Sequence, residues 1–252
     1  MDITQLHEIA LEAANAAIKE LARFYRDARI IDQTGKDLKT LADESSEKAI
    51  LEVLRKSQVP IISEEDPGSH AAIDNGPFWV VDPLDGTVNF SRHFPVYGIS
   101  IALWEGKEPR IGVIHDLYRG RTYSGAIGVG AWIDGQSFTI PDSNDLSQAI
   151  LATGFPSKRD FSKQSLSKFA HFTAHFKKVR MIGAAAISLA YVSEGVFDHY
   201  CEEDIWLWDV AAGIAIIKAA GGDYLVKNLT DDLRATVHAG TISTVRQAAR
   251  LL

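Results

Sequence analysis

The sequence predicts a mixed helix-and-strand protein, α+β in its first half and α/β in its second. Apolar residues recur at helical spacing twice before residue 57. Residues 78–140 break into short apolar runs parted by turn residues, as an antiparallel meander does. From residue 149 onward, strand-like and helix-like segments alternate, the pattern of α/β packing. No Ser- or Pro-rich linker divides the chain and no internal repeat is present. One compact unit over 1–252 is therefore expected, with an N-terminal lobe over 1–145 and a C-terminal lobe over 146–252.

Leu6, Ile9, Ala10, Ala13, Ala17, Leu21 and Phe24 place a helix over 4–26, with Thr4 as its N-cap. The polar stretch 27–39, with Gly35, reads as a loop. Leu41, Ala42, Ala49, Ile50, Val53 and Leu54 place a second helix over 41–56, and 60–62 is a short strand. Pro67, Gly68, Asn75, Gly76 and Pro77 mark a loop over 66–77. Strands are expected at 78–81, 97–104, 109–116, 121–125, 130–133 and 136–140, with Asp134-Gly135 as a hairpin turn. The second half reads as strand 149–153, helix 162–176, strand 177–182, helix 184–195, strand 197–201 and helix 209–220, closed by Gly221-Gly222.

Composition narrows the function classes. With 46% hydrophobic and 23% charged residues, the 252-residue chain has the make-up of an ordinary globular protein. A net charge of −7 disfavours nonspecific nucleic-acid binding, which needs a basic surface. It allows a small phosphorylated ligand, because bound cations reverse the local sign. Cys201 is the one cysteine, so neither an intrachain disulfide nor a Cys-rich zinc site is expected. It reads as a small buried hydrophobe. The N-terminus lacks a basic-then-apolar leader, and no apolar run has membrane-spanning length. A cytoplasmic address with no membrane partner is the expectation.

The chemistry concentrates in three acidic stretches. The apolar run Phe78-Trp79-Val80-Val81 ends in Asp82-Pro83-Leu84-Asp85-Gly86-Thr87. Ile61-Ile62-Ser63 runs into Glu64-Glu65-Asp66, and Trp208-Asp209-Val210-Ala211-Ala212-Gly213 lies far downstream. Hard divalent cations take oxygen ligands, typically one or two carboxylates with water and phosphate. If the Pro83-Leu84 segment turns, Asp82 and Asp85 converge on neighbouring cations and the Leu84 carbonyl points inward. Asp82 would project from a sheet edge into a cleft. Gly86 lets the backbone approach a phosphate, to which the Gly86 and Thr87 N–H groups can donate.

Each stretch also has a plain structural reading. Asp-Pro-x-Asp-Gly is a surface turn more often than a metal site. An acidic triplet is commonly solvated loop, and an Asp at a helix start answers the helix dipole. Thr40-Leu41-Ala42-Asp43 fits a capping box with Asp in place of Glu. In the functional reading, Asp43 accepts from the Thr87 hydroxyl, which orients an attacking water.

These motifs together resemble the inositol monophosphatase family, within the wider lithium-sensitive, Mg²⁺-dependent phosphatases. The matching stretches are Asp37 to Asp43 with Glu47, then Ser63-Glu64-Glu65, Trp79 to Phe90, Arg180 to Ala186, Trp208 to Gly213 and Ala219 to Gly222, in family order. The resemblance implies a layered α-β-α-β-α sandwich of the inositol monophosphatase/fructose-1,6-bisphosphatase kind, usually a homodimer. It implies two or three Mg²⁺ ions. Glu64, Asp82 and the Leu84 carbonyl would hold one, and Asp82, Asp85 and Asp209 a second. A third, weaker ion near Glu64 would help position the water. Gly86 and Thr87 would bind phosphate, Thr87 and Asp43 would orient the nucleophile, and Gly183, Ala184 and Glu202 would contact the alcohol.

Family members often carry Thr or Ser where this chain has Ala184, and smaller or polar residues at Trp206. Both departures lie on the leaving-group side. A small polyol phosphate, first of all an inositol monophosphate, is the expected substrate. Histidinol phosphate follows, since its amine and imidazole suit Glu202, Glu203 and Asp204. Fructose 1,6-bisphosphate and 3′-phosphoadenosine 5′-phosphate fit the acidic 202–204 segment less well, although Arg180 or Lys158-Arg159 could serve a second phosphate. The alternative of another class is a regulatory binding partner with a vestigial site.

Overall fold

The computed structural model describes all residues except 25–29, 35–36, 67–75, 142–144, 156–158, 231 and 252, and describes 30–38 without their side chains. Gly35, Pro67, Gly68, Asn75 and Lys158, singled out above, lie outside the described residues. So do the side chains of Asp37 and Leu38.

Helix α1 spans Ile3–Leu21 and α2 spans Leu41–Leu54. They pack on each other and on one face of a seven-stranded sheet. Strands β1 (Ile30–Thr34) and β2 (Asp37–Thr40) pair antiparallel between the two helices. The large sheet holds β3 (Ile61–Ser63), β4 (Pro77–Asp85), β5 (Gly98–Glu105), β6 (Glu108–Asp116), β7 (Arg121–Ala126), β8 (Gly130–Ile133) and β9 (Gln136–Ser137), neighbours in that order. Only β3 and β4 run parallel; the rest is the expected meander. A short helix α3 (Thr87–Ser91) follows β4.

The second sheet runs β11 (Lys178–Arg180), β10 (Ile150–Thr153), β12 (His199–Trp206), β14 (Arg234–Gly240) and β13 (Asp223–Lys227). Helices α5 (Ala185–Glu194) and α6 (Leu207–Ala219) fill the space between the sheets. Helix α4 (Lys163–Thr173) and α7 (Ile242–Ala248) cover the outer face, over Leu151 and Cys201. The order of layers is α-β-α-β-α, as the resemblance implied.

Helix α6 shows why its sequence is apolar on every side. Val210, Ala211, Ala212, Ile214, Ala215, Ile216 and Ile217 are all inaccessible to solvent, because a sheet flanks the helix on both sides. Close approach demands small residues: a Cβ on Gly112 of β6 would lie 2.1 Å from the Ala212 carbonyl oxygen. The central helix therefore sits against the meander at backbone distance.

Several expectations are corrected. The first helix is capped by Asp2 in a capping box with Gln5, not by Thr4, and ends at Leu21. The 27–39 loop contains β1 and β2. β4 runs through Pro83 to Asp85 rather than stopping at Val81: its register with β5 shifts between Asp82 and Asp85, and the shift accommodates the missing proline N–H. Asp82 therefore lies on an inner strand flanked by β3 and β5, not at a sheet edge. β12 continues through the acidic 202–204 segment. The last two strands and α7 carry too little periodicity to be read from sequence. No described helix is long and apolar enough to cross a membrane.

Candidate active site

The parallel pairing of β3 and β4 ends at Ser63 opposite Val81, and the Glu64 N–H donates to the Val81 carbonyl at 3.1 Å. Glu64 and Asp82 are thereby brought side by side, close enough to share a proton. The Asp82 carboxylate accepts the Leu84 N–H at 2.9 Å, which folds the Pro83-Leu84 turn onto it. Ser46 of α2 donates to the Pro83 carbonyl at 2.7 Å and pins the turn from outside.

Asp85 faces the N-terminus of α5 and accepts the Ala185 N–H at 3.1 Å and the Ile187 N–H at 3.2 Å. A carboxylate there is favoured by the unpaired amides and the helix dipole. Asp209 occupies the first turn of α6 and accepts the Trp206 N–H, so its capping role and its place in the acidic group coexist. Trp206 stacks on Trp208 at 4.6 Å and 13°, bracing that turn.

Burial raises every one of these acids, and repulsion between carboxylates adds to it at Glu64, Asp82 and Asp209. Asp82 is held well above the ordinary carboxylate range, by burial first and then by Glu64, Asp85 and Asp209. Asp209 is raised for the same reasons, and burial lifts Asp85 to about 6. Glu64 is raised by burial of its carboxyl and by Glu65, although the rest of its side chain meets solvent. Among the described residues, no three acidic, His or Cys side chains close around one point at ligating distance. The carboxyls instead bond to each other and to backbone amides. The donor set fits hard divalent cations in chemistry: oxygen only, gathered and in surplus of negative charge. Binding them requires the side chains to turn from their present partners.

Beside this group, the Thr87 hydroxyl lies 2.9 Å from Asp43 Oδ1 and 3.0 Å from the Leu84 carbonyl. The single hydroxyl proton serves one acceptor at a time. Asp43 is also held by Thr40, through the backbone N–H at 2.8 Å and the hydroxyl at 2.5 Å. The capping box is real, and the same carboxylate faces Thr87. Burial lifts Asp43 to about 6 against those hydrogen bonds. The Leu84 carbonyl faces the Thr87 hydroxyl.

Gly86 begins α3 with φ +84, and a Cβ there would lie 2.9 Å from the Val96 carbonyl and 3.1 Å from the Ala184 Cβ. The structure thus joins Gly86 to Ala184 across 98 positions of sequence. Asn89, which sequence reasoning did not single out, makes the link: its amide donates to Val96 at 2.8 Å and Ile182 at 2.9 Å. Glu202 is buried with its carboxyl over Gly154, where a Cβ would come within 1.9 Å of it. Burial pushes Glu202 up to about 8. Glu203 and Asp204 point elsewhere, Glu203 to Arg159 at 3.0 Å and Asp204 to Arg234 at 2.8 and 3.0 Å. Two of the three carboxyls of the acidic segment are thus held in ion pairs, while Glu202 has Tyr200 as its hydrogen-bonding neighbour. Arg234 was also missed, because nothing local marks it.

The model of the inositol monophosphatase family matches residues 2–245. The chain belongs to the inositol monophosphatase family. It is 34% identical over 224 residues to a fructose-1,6-bisphosphatase/inositol-1-monophosphatase of Aquifex aeolicus, covering 87% of this chain and 84% of that one. It is also 34% identical over 220 residues to the Nus factor SuhB of Pasteurella multocida, covering 85% and 82%. The solved inositol monophosphatase of Anabaena superposes with a TM-score of 0.83 at 29% identity, over 100% of this chain and 98% of that one. The layered sandwich and its carboxylate cleft are thus those of a family of phosphatases that use metal ions and act on small phosphorylated molecules.

Proposed function

We propose that this chain is a Mg²⁺-dependent phosphomonoesterase that hydrolyses a small polyol phosphate, first of all an inositol monophosphate. The observation that carries the reading is the Thr87–Asp43 pair, 2.9 Å apart, set beside the four gathered carboxyls of Glu64, Asp82, Asp85 and Asp209. In this reading Glu64, Asp82 and the Leu84 carbonyl hold one ion and Asp82, Asp85 and Asp209 another, with a third near Glu64. The bound ions would supply Lewis-acid stabilisation of phosphate charge and a water of lowered pKa. Asp43 takes the hydroxyl proton of Thr87, and the Thr87 oxygen then accepts from the attacking water and aims it. The Gly86 and Thr87 amides, at the start of α3, donate to phosphate oxygens.

Gly183 and Ala184 offer backbone groups to the alcohol, and Glu202 accepts from its hydroxyls. With Glu203 and Asp204 engaged in ion pairs, one carboxyl meets the leaving group. That suits a polyol better than the amine and imidazole of histidinol phosphate. A homodimer of two-lobed subunits, at work in the cytoplasm, belongs to the same reading. The non-enzymatic alternative, a regulatory partner as the name Nus factor attached to one relative suggests, is disfavoured by the intact Thr87–Asp43 pair and the filled acidic positions. Phosphate release with Mg²⁺ over inositol 1-phosphate, histidinol phosphate, fructose 1,6-bisphosphate and 3′-phosphoadenosine 5′-phosphate tests it. No turnover of any of them by folded protein refutes the enzyme reading.

A further inference from the structure

A second cavity, of about 450 Å³, opens on the outer side of Glu202 between α4 and the ends of β12 and β14. Asp43, Glu64, Asp82, Asp85 and Asp209 take no part in its wall. Its wall gathers three cations where the candidate active site is acidic: Arg159, Lys168 and Lys227 line it beside two carboxyls, Glu202 and Glu203, with Asn228 and Thr236 as neutral hydrogen-bonding groups.

Arg159 is the unusual member. Its side chain is 2% exposed and packs against two aromatic rings that also touch each other, its guanidinium carbon 5.0 Å from the Phe155 centroid and 4.8 Å from that of Phe169. A buried guanidinium is costly unless its N–H groups are satisfied. Here Nη2 lies 3.0 Å from Glu203, whose own side chain is 46% exposed and screened by water. Nε and Nη2 make no hydrogen bond among the described residues. A cation held out of water, with Nε and Nη2 making no hydrogen bond among the described residues and two lysines on the same cavity wall, is built to receive an anion. The guanidinium fork matches the paired oxygens of phosphate and carboxylate.

We propose that this cavity binds a small anion, a phosphate ester or carboxylate, on Arg159, Lys168 and Lys227, separately from the phosphate at the acidic cleft. Glu202 and Glu203 also line the cavity, so its occupant touches the same β12 segment that presents Glu202 to the leaving group. The site stands independently of the phosphatase reading.

The test is calorimetric titration of the full chain with inorganic phosphate in excess chelator. Without divalent cations the acidic cleft repels phosphate, so saturable heat reports the basic cavity. One-site binding is expected, weakened about tenfold or more by Arg159→Gln, as loss of charge-assisted hydrogen bonds implies. Lys227→Gln, on the less buried wall, should weaken it several-fold and keeps the test valid if Arg159→Gln misfolds. Absence of saturable binding at tens of millimolar overturns the proposal. So does equal binding by the wild type and both variants, which would mark an adventitious ion only. Turnover assays then identify the source of the anion. A loss in Lys227→Gln confined to substrates with a second anionic group assigns the cavity to the substrate's own distal anion. Phosphate binding without such a loss assigns it to a free anion.

Discussion

Replacing Thr87 by Val removes one hydroxyl and almost no volume, so it isolates the contact on which the proposed mechanism turns. Asp43 has three hydrogen-bonding partners: the Thr40 N–H at 2.8 Å, the Thr40 hydroxyl at 2.5 Å and the Thr87 hydroxyl at 2.9 Å. Thr87→Val deletes the last and leaves a buried carboxylate with two. Hydrogen bonds to charged groups are worth about 1.5–3 kcal/mol, and the contact is part-buried, so the lower figure, about 1.5 kcal/mol, applies. For a chain of this size that lowers Tm by roughly 3–6 °C. The effect on rate is larger if Thr87 aims the water: loss of positioned proton transfer costs about 10²–10⁴-fold in kcat. Thr87→Ser keeps the hydroxyl and should recover most of it. The assay is phosphate release at saturating Mg²⁺, beside a thermal melt. Turnover of folded Thr87→Val within a few-fold of wild type refutes the relay, whatever its Tm.

Other perturbations bear on neighbouring steps. Asp85→Asn keeps an acceptor for the α5 amides but loses the charge; activity should fall by on the order of 100-fold or more, the upper range seen even for groups one shell from a metal, with the far-UV dichroism unchanged. Near-normal turnover removes Asp85 from the metal site. Glu202→Gln should reorder the preference among polyol phosphates while leaving the Mg²⁺ half-saturation near its wild-type value; a shifted metal dependence with unchanged preference reassigns Glu202 to the ions. Lithium in the millimolar range should inhibit, as the resemblance to lithium-sensitive phosphatases implies, and insensitivity would weaken the family mechanism for this chain. His199 and His238, in contact at 3.2 Å, are buried and neutral, with burial holding His238 down at about 4 and His199 well below its ordinary value. Between pH 6.5 and 4 the unfolded chain binds protons that the native pair refuses. The pair's contribution to stability is therefore full above about pH 6.5 and falls toward pH 4, by about 3 kcal/mol from His238 alone, since each tenfold loss of proton affinity corresponds to about 1.4 kcal/mol. Urea unfolding at about pH 7 and pH 5 checks it, and a His238→Gln variant with the wild-type pH slope would disprove the assignment.

How far the site was legible depends on the range of the interactions that build it. Asp82 to Thr87 are contiguous, and Thr40 to Asp43 form a local capping box, so their geometry follows from turn and helix-start chemistry. The meander was legible because each hairpin pairs neighbouring segments. Asp2 rather than Thr4 caps the first helix because two acceptors compete within a few residues, and only the closed box with Gln5 decides between them. β4 was expected to stop at Val81 because proline usually ends a strand, whereas the shift against β5 absorbs it.

By itself, the sequence determined the types of chemistry available: oxygen ligands at the ends of apolar strands, a hydroxyl after a glycine, an acidic balance, and motifs in the order of a phosphatase family. Tertiary structure decided which of those groups meet. Asn89 clamps Val96 and Ile182 and so sets Gly183 and Ala184 beside Gly86. Arg159 and Arg234 pair with Glu203 and Asp204, while Glu202 lies buried over Gly154. No pattern along the chain encodes those meetings, because an ion pair or an amide bridge between segments far apart in sequence is selected by the packing of whole layers and not by local conformation.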